Sequence, residues 1–213
     1  MNRPLILGIT GGVGSGKTEF SNKLLQLNVP IIEADTVANE LVRDNTEIQQ
    51  RLRSAFGESI FTSTGELKRN VLAQKVFSDR TALNRLNQIM QIPLNQSIQN
   101  NIQSLIENNS PKLIGIEMAT LYESKMDTVC DKIIVVDAPI GKRYDWLRKS
   151  RKWNRKEIAD RMRMQWNVDE KKRRADIVIG NRDDIQKLQH KARVVFRELL
   201  KEIELDSPIQ KKT

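Results

Sequence analysis

Short apolar runs alternate with stretches of helical periodicity along the chain, and the two patterns predict different elements. Short apolar runs bounded by proline, glycine or charged residues are typical of buried strands. Such runs occur at residues 5–10, 29–32, 112–117, 132–137 and 177–179. The first leads through a glycine-rich turn into a predicted helix over residues 17–27, and the second predicted strand follows that helix. This order of strand, turn, helix and strand predicts an α/β fold with a parallel sheet.

Helical periodicity fills the long segment between the second and third predicted strands. Apolar residues recur there at i, i+4 and i+8, for example at Ile48, Leu52 and Phe56, and a longer helix is predicted after Pro93. Because no strand pattern interrupts residues 36–111, we interpret them as a helical insertion beside the sheet. A closing amphipathic helix is predicted over residues 184–203, with the following positions on its apolar face: Ile185, Leu188, Ala192, Val195, Leu199 and Ile203.

Composition and hydropathy exclude several classes of protein. The mean hydropathy is −0.52, and no apolar run approaches the ~18 residues of a membrane-spanning helix, so we expect no membrane association. The chain has 1 cysteine, Cys130, and 1 histidine, His190, which argues against a disulfide framework, a cysteine zinc site and most histidine-based catalysis. The first residues lack the apolar region of a secretion signal, so we expect a cytoplasmic protein.

The excess of positive charge is concentrated in one segment. The net charge is +9, from 36 Lys and Arg against 27 Asp and Glu. Residues 142–174 alone carry 14 basic and 5 acidic residues, a surplus of 9, so the rest of the chain is balanced. A charge run is often only a solvated helical face. Its place after the fourth predicted strand instead favours a basic lid over an anionic ligand, and we do not expect nucleic acid as a partner.

The strongest motif is the glycine-rich turn that follows the first predicted strand. Residues 11–18 fit the pattern G-x-x-x-x-G-K-[ST], a loop whose backbone N–H groups surround phosphate oxygens at the positive end of the next helix. In this pattern Lys17 reaches the β- and γ-phosphates, and the Thr18 hydroxyl ligates Mg²⁺. The motif therefore predicts ATP with Mg²⁺ at the following residues: Gly12, Val13, Gly14, Ser15, Gly16, Lys17 and Thr18.

A nucleotide loop does not by itself distinguish a kinase from a hydrolase or a switch protein. The chain contains neither Asn-Lys-x-Asp nor Asp-x-x-Gly, the sensors of GTPase switches. Transfer of the γ-phosphoryl group to a small acceptor fits best, and it requires a positioned hydroxyl, a carboxylate and surrounding cations. The alternatives are another P-loop kinase, acting on a nucleoside or nucleotide, and a non-catalytic ATP-binding protein whose basic segment binds a partner.

Three carboxylates stand at the carboxyl ends of predicted strands, where the ligands of open α/β sheets bind. Asp35 is our preferred base or orienting group for the acceptor hydroxyl, and an N-cap of the following helix is its alternative. Glu117 is a candidate to hold a magnesium-bound water, and a solvated strand end is its alternative. Asp137 ranks third, because Ala138 and Pro139 are typical of a turn.

The arginines of the basic segment are candidates to neutralise the charge of the transferring phosphoryl group. They alternate with three tryptophans, Trp146, Trp153 and Trp166. Spacing does not select among the arginines, which are Arg148, Arg151, Arg155, Arg161 and Arg163.

Together these motifs resemble one family, the dephospho-coenzyme A kinases. Residues 8–18 resemble its extended loop pattern G-[LI]-T-G-G-[IV]-G-S-G-K-[ST], and residues 32–35 resemble its I-D-A-D. Further matching elements follow in the family's order at residues 56–57, 65–69, 76–77, 161–165 and 175–181. The resemblance therefore covers most of the chain.

The resemblance implies a single-domain, three-layer P-loop kinase with a five-stranded parallel sheet. Its nucleotide core would comprise residues 1–35, 112–141 and 175–206, its helical acceptor-binding insertion residues 36–111, and its basic lid residues 142–174. The implied reaction is phosphorylation of the ribose 3′-hydroxyl of dephospho-CoA by MgATP, the last step of coenzyme A biosynthesis. The oligomeric state is left open.

The resemblance also assigns roles to single residues. It makes Asp35 the catalytic carboxylate beside Lys17, and it leaves Arg148 and Arg151 adjacent to the family's lid-arginine positions. It makes Asn181 a contact of the ATP adenine. The positions that it assigns to the acceptor substrate are Thr10, Asp35, Arg69 and Glu123.

Most departures from the family pattern fall on the acceptor side and the lid. Ile92-Pro93 replaces the family's His-Pro, so any acceptor contact from that histidine is absent. The loop pattern D-x-P-L-L-x-E keeps only its last leucine and its glutamate at residues 117–123. Trp146 and Ser150 stand where arginines are usual. Because the ATP loop is intact, we expect a divergent kinase with the same substrate.

Overall fold

The computed structural model describes residues 3–77 and 79–205 and shows an α/β protein built on one sheet. The sheet has 5 strands in the order β2-β3-β1-β4-β5, and every pairing is parallel, which confirms the predicted fold class. The predicted core limits at residues 1 and 206 lie outside the described residues. The strands are β1 (Leu5–Thr10), β2 (Ile31–Glu33), β3 (Leu113–Glu117), β4 (Lys132–Asp137) and β5 (Ile177–Gly180).

Helices occupy most of the remaining described chain, with two short 3-10 turns at Glu58–Ile60 and Met126–Val129. Within residues 3–77 and 79–205, no helix combines the length and the apolarity needed to cross a lipid bilayer. The α-helices are α1 (Lys17–Leu25), α2 (Ala34–Asp44), α3 (Thr46–Phe56), α4 (Arg69–Phe77), α5 (Arg80–Asn109), α6 (Ile140–Arg151), α7 (Arg155–Arg163), α8 (Val168–Arg174) and α9 (Ile185–Leu205).

Helical layers cover both faces of the sheet, because alternate residues of a strand point to opposite faces. On one face, Leu7 of β1 packs with Phe20 of α1 and Leu188 of α9. On the other face, Ile6 packs with Ile98 of α5. This arrangement confirms the predicted three-layer architecture. The helical layers cover the faces of the sheet and not the edge at which the strands have their carboxyl ends.

The turn between α1 and β2 shortens both elements relative to the prediction. Asn28 has a φ of 63°, a left-handed conformation that ends the helical path. The Val29 N–H then donates to the Leu24 carbonyl at 3.1 Å. Since Val29 is engaged in this turn, the second strand begins at Ile31 and not at residue 29.

The helices α2 to α5 cover the segment predicted as an insertion and have a core of their own. Ile48, Leu52 and Phe56 are buried in it, which confirms the spacing that predicted α3. The long helix α5 links this core to the sheet, because Ile89 belongs to the insertion core and Ile98 to the sheet.

The helix α5 runs through Pro93, whereas the sequence predicted a helix that begins after this residue. Proline in a helix interior removes one backbone hydrogen bond and crowds the preceding turn, which costs about 3 kcal/mol. Ile89 and Ile98 are buried on either side of it, at 6% and 0% exposed. Tertiary packing on both flanks therefore outweighs the local penalty of Pro93.

The helix α9 confirms most of the predicted apolar face of the closing helix. Leu188, Ala192 and Leu199 are buried in the core against the sheet. Ile185 is instead 48% exposed. It lies at the start of α9 and belongs to the wall of the cleft described below.

Candidate functional site

One cleft of about 1610 Å³ runs along the carboxyl ends of the strands. It exceeds the ~1000 Å³ upper size of ordinary small-molecule pockets, so it has room for two ligands. Its walls come from the loop before α1, the first turn of α2, the insertion helices α4 and α5, and the lid helices α6 and α7. The predicted site residues that it brings together are Val13, Gly14, Gly16, Lys17, Thr18, Asp35, Arg69, Glu117, Glu123, Arg151 and Asn181.

The loop between β1 and α1, which we call the phosphate loop (residues 11–18), has the shape that anion binding requires. Gly16 precedes α1 with a φ of 96°, a conformation that favours glycine. A Cβ on Gly16 would lie 2.4 Å from Asn181 Nδ2, which donates to the Ser15 carbonyl at 2.9 Å. No described side chain caps α1, so its first N–H groups are available to a ligand. Asn181 thus braces the loop, and its contact with adenine stays a prediction.

Lys17 lies inside the phosphate loop with its ammonium group turned to the backbone. The residue is 9% exposed, and Nζ donates to the carbonyls of Gly11 at 3.2 Å and Gly12 at 3.1 Å. Burial lowers the pKa of Lys17 to about 8, and the negative charges of Glu117 and Asp35 oppose that shift. A buried ammonium held only by carbonyls gains most from an incoming phosphate.

The two predicted metal-site residues meet at the end of β3. Thr18 Oγ1 donates to Glu117 Oε1 at 2.7 Å, whereas Glu117 Oε2 is buried with no hydrogen-bond partner in the described structure. Burial raises the pKa of Glu117, and the Thr18 hydrogen bond, the nearby Ser21 hydroxyl and the positive charge of Lys17 oppose that shift. A free carboxylate oxygen beside a hydroxyl suits Mg²⁺, which takes one or two carboxylates together with phosphates and water. The residues therefore fit this ion, and the solvated alternative for Glu117 is wrong.

Asp35 is exposed on the first turn of α2 and lines the cleft. The helix begins at Ala34, and Glu33 occupies its N-cap position without a side-chain hydrogen bond. The N-cap alternative for Asp35 is therefore wrong. The carboxylate of Asp35 makes no hydrogen bond or ion pair with another described residue. A free carboxylate in a cleft can accept a proton or orient a hydroxyl.

Three predicted ligand contacts lie behind the cleft wall. Thr10 is buried and its Oγ1 donates to the Ala119 carbonyl at 3.2 Å. Ser15 is also buried, and Gly12 lies directly beneath the guanidinium group of Arg143. The structure brings none of these three residues to the cleft surface. Their roles in binding ATP or acceptor stay predictions.

The third candidate carboxylate has a protein partner. Asp137 ends β4, and its Oδ2 lies 3.4 Å from Lys172 Nζ. Unlike Glu117, it does not contact Thr18. This placement agrees with its third rank among the sequence candidates.

The far end of the cleft is formed by the insertion. Arg69 begins α4, is exposed, and pairs its guanidinium group with no other described residue. The helix α5 is tied to the segment after β3, because Gln91 Nε2 and Asn95 Nδ2 donate to the Ser124 carbonyl at 3.2 and 2.9 Å. Ile92 is 79% exposed and does not line the cleft. Ile92, at the position of the family's histidine, therefore forms no part of this wall of the cleft.

The lid helices bring some of the predicted cations to the cleft. Arg151, Arg161 and Arg163 line it, whereas Arg148 and Arg155 are exposed and do not. The guanidinium carbon of Arg161 lies 4.0 Å from the Trp153 ring centroid and 4.3 Å from the Phe77 ring centroid. This cation–π stacking joins the lid to the end of α4.

Glu123, a predicted acceptor contact, also belongs to a buried ion pair that the sequence did not predict. Lys171 of α8 is 0% exposed, and its Nζ lies 2.8 Å from Glu123 Oε1 and donates to the Ala119 carbonyl at 2.6 Å. The Trp166 N–H donates to the same carboxylate oxygen at 2.8 Å. Lys171 was missed because it lies in a basic run, a pattern that indicates solvated side chains.

Two further residues were missed, and both contact the phosphate loop. Arg143 Nε donates to the Val13 carbonyl at 2.8 Å, and the Val13 N–H donates to Gln165 Oε1 at 3.0 Å. Burial lowers the pKa of Arg143. Gln165 stands in the motif at residues 161–165, which was the only available signal for it. Arg143 had no signal beyond its place in the basic segment.

Comparisons with known proteins agree with this geometry. The model of the dephospho-CoA kinase family matches residues 5–187. A dephospho-CoA kinase of Latilactobacillus sakei is 31% identical over 190 residues, which are 89% of this chain and 93% of that protein. A crystal structure from Thermus thermophilus superposes with a TM-score of 0.74 at 27% identity, over 93% of this chain and 99% of its own. A Campylobacter jejuni dephospho-CoA kinase shares the fold, with a TM-score of 0.67 at 22% identity over 92% and 98% of the two chains.

Proposed function

The chain belongs to the dephospho-CoA kinase family and phosphorylates dephospho-CoA to CoA with ATP, and from that premise we propose how its residues divide the work. ATP binds at the phosphate loop, and the acceptor binds between the insertion and the lid with its ribose 3′-hydroxyl beside Asp35. Core, insertion and lid act as three parts of a single domain. One observation carries this proposal: Lys17, Asp35 and Arg69 line one continuous cleft.

The phosphate loop binds the triphosphate through backbone N–H groups and Lys17. The ammonium group exchanges the carbonyls of Gly11 and Gly12 for β- and γ-phosphate oxygens, which are stronger acceptors because they are charged. The free N–H groups of α1 add the positive end of the helix dipole. Arg151 and Arg161 of the lid line the same cleft and balance the remaining charge.

Asp35 acts on the acceptor hydroxyl. Its carboxylate is exposed in the cleft and has no protein partner among the described residues, so it is available to orient the 3′-hydroxyl and to accept its proton. Phosphoryl transfer depends mainly on alignment of the reacting groups and on charge stabilisation. A carboxylate on the first turn of α2 is placed to supply the alignment.

Thr18 and Glu117 would hold Mg²⁺. The support is the buried, unpartnered Oε2 of Glu117 beside the Thr18 hydroxyl. When bound, the ion neutralises phosphate charge. Cytoplasmic location and the absence of a nucleic-acid partner stay predictions.

Arg69 binds the acceptor through a phosphate of its diphosphate group. Its unpaired guanidinium group at the insertion end of the cleft is suited to a bidentate contact with phosphate oxygens. The second carboxylate oxygen of Glu123 is also without a partner. Glu123 therefore stays our proposed acceptor contact near the base of the lid.

The test is an ADP-release assay with MgATP and a panel of acceptors. Turnover with dephospho-CoA, and with no nucleoside or nucleotide tested beside it, is the expected result. Turnover with nucleosides alone would select the other P-loop kinase function. ATP binding without turnover on any acceptor, together with salt-sensitive RNA binding, would select the non-catalytic alternative.

A further inference from the structure

The lid region contacts a single residue of the phosphate loop through both of its backbone polar groups. Arg143 lies on α6 and donates from Nε to the Val13 carbonyl at 2.8 Å. Gln165 follows α7 and accepts from the Val13 N–H at 3.0 Å. The two contacts come from positions 22 residues apart in sequence. The peptide units on either side of Val13 are therefore held from two directions.

The Arg143 guanidinium group is buried against this loop and makes no close ion pair with a described residue, although the charge of Asp137 acts on it from a distance. The residue is 6% exposed, and it forms no ion pair with a described carboxylate. Its central carbon and both terminal nitrogens would lie within 2.9 Å of a Cβ on Gly12, so the group packs directly on the loop backbone. Burying a charge without a partner is costly. Negative charge brought by a ligand to the same loop would offset that cost.

We propose that Arg143 and Gln165 are positioning residues that hold Val13, and with it the phosphate loop, in the conformation that binds ATP. Arg143 does not line the cleft, whereas Gln165 does, and both residues contact the phosphate loop through the Val13 backbone. The proposal rests on the proposed function only in taking ATP as the ligand of the loop.

A purely structural role makes different predictions from a positioning role. A residue that only stabilises the fold affects ATP and acceptor alike, through the fraction of folded protein. A residue that positions the loop changes ATP affinity and leaves the KM for the acceptor unchanged. The positive charge of Arg143 adds a second distinction, because lysine keeps the charge and a donor whereas glutamine keeps only a donor.

The experiment measures ATP dissociation constants without acceptor, followed by the fluorescence of the cleft residues Trp146 and Trp153. Arg143→Gln should weaken ATP binding roughly tenfold, the size expected for loss of a charge-assisted hydrogen bond. Arg143→Lys should recover most of that loss. Gln165→Ala should weaken ATP binding by roughly threefold to tenfold. The matched control is Arg173→Gln, an exposed arginine outside the cleft, which should leave the constant unchanged.

The KM for dephospho-CoA and the unfolding midpoint are measured for the same variants. An acceptor KM within about twofold of the wild type supports positioning. Equal losses for ATP and acceptor, unchanged ATP affinity in both Arg143→Gln and Gln165→Ala, or no recovery by Arg143→Lys would each overturn the proposal. Gln165 is only partly buried, so its variant keeps the test valid if Arg143→Gln fails to fold. A wild type that binds ATP but does not phosphorylate dephospho-CoA refutes the proposed function and leaves the ATP series interpretable.

Discussion

The two ends of the cleft differ in how far their polar groups are satisfied within the protein. At the loop end, Lys17 donates to two backbone carbonyls and Asn181 holds the Ser15 carbonyl at 2.9 Å. At the acceptor end, the Asp35 carboxylate and the Arg69 guanidinium group have no hydrogen bond or ion pair with a described residue. One end is internally braced, and the other presents free charged groups.

This contrast indicates two ways of recognising a substrate. The loop end binds with backbone groups whose positions are set before the ligand arrives, which is electrostatic preorganisation. At the acceptor end, Asp35 and Arg69 gain their partners only from the ligand, whereas Glu123 is already paired with Lys171. Substitutions at the loop end should therefore change ATP binding, and substitutions at the acceptor end should change chemistry or acceptor affinity while the fold is unaffected.

Lys17→Ala should give the largest effect. Loss of the ammonium group removes the main cation of the loop, so turnover should fall by more than about 10³-fold and ATP binding should weaken with it. The change in the free energy of unfolding should be only about 1 kcal/mol, because the partners lost are two backbone carbonyls. Steady-state assays, calorimetric ATP titration and thermal unfolding measure the three quantities.

The matched control for that variant is Lys23→Ala. Lys23 lies on the same helix, is partly exposed, lies outside the cleft and donates to Gln26, so activity should be unchanged. Retained activity in Lys17→Ala would contradict the assignment of the phosphate loop.

Asp35→Asn should act on the chemical step. The amide keeps the shape of the side chain but cannot accept the proton of the hydroxyl, so kcat should fall by about 10²-fold or more. The ATP dissociation constant should change less than about twofold, because Asp35 makes no hydrogen bond to the phosphate loop. Equal losses in kcat and in ATP affinity would indicate a role in holding the metal ion.

Arg69→Ala should act on the acceptor alone. Loss of a charge-assisted contact with a phosphate predicts a KM for dephospho-CoA that is roughly tenfold to 100-fold higher, with an unchanged KM for ATP. Arg51→Ala is the matched control, since Arg51 is exposed on α3 and lies outside the cleft. A rise in the ATP KM of Arg69→Ala would place this residue at the wrong end of the site.

The same contrast explains how much of the molecule could be predicted from the sequence. The ATP end could be predicted because its residues are contiguous and their spacing is itself the signal. The contact of Thr18 with Glu117 spans 99 residues, but both lie at the ends of neighbouring elements of the predicted sheet. The contacts of Arg143 and Lys171 span 130 and 52 residues and carry no such signal. Whether a lysine or arginine of a basic run is buried depends on contacts with residues distant in sequence. The neighbouring residues in the sequence do not reveal those contacts.

The fold shows the same limit. β1 and β4 have their predicted bounds, because each is an apolar run flanked by residues that end a strand. The start of α5 was wrongly predicted to follow Pro93. The helix continues through this residue because buried side chains on both sides of it pack against other elements. Ile185 fits an apolar helical face by spacing alone, yet it lies in the cleft wall, because the core against α9 begins only at Leu188.

The mildest test of the braced loop end is pH. Burial holds the pKa of Lys17 at about 8, so the free protein loses this positive charge as the pH rises through that value. Below pH 8 the ammonium form dominates and kcat/KM for ATP should be level; at pH 9 it should be lower by about tenfold, since that profile reports the free protein. At saturating ATP the phosphates favour the charged form, so the fall in kcat should move to higher pH.

Burial raises the pKa of Cys130 and of Tyr122 to about 12, above the range examined, whereas burial lowers the pKa of Lys171. A control variant is therefore needed to assign the alkaline fall to Lys17. Lys17→Arg supplies the control, since a guanidinium group keeps its charge up to about pH 12 and should abolish the alkaline fall at whatever activity remains. The contrary result would be a wild-type kcat/KM for ATP that stays level between pH 7 and 9.5. Lys17 would then not be a buried cation held by backbone carbonyls, and the contrast between the two ends of the cleft would fail.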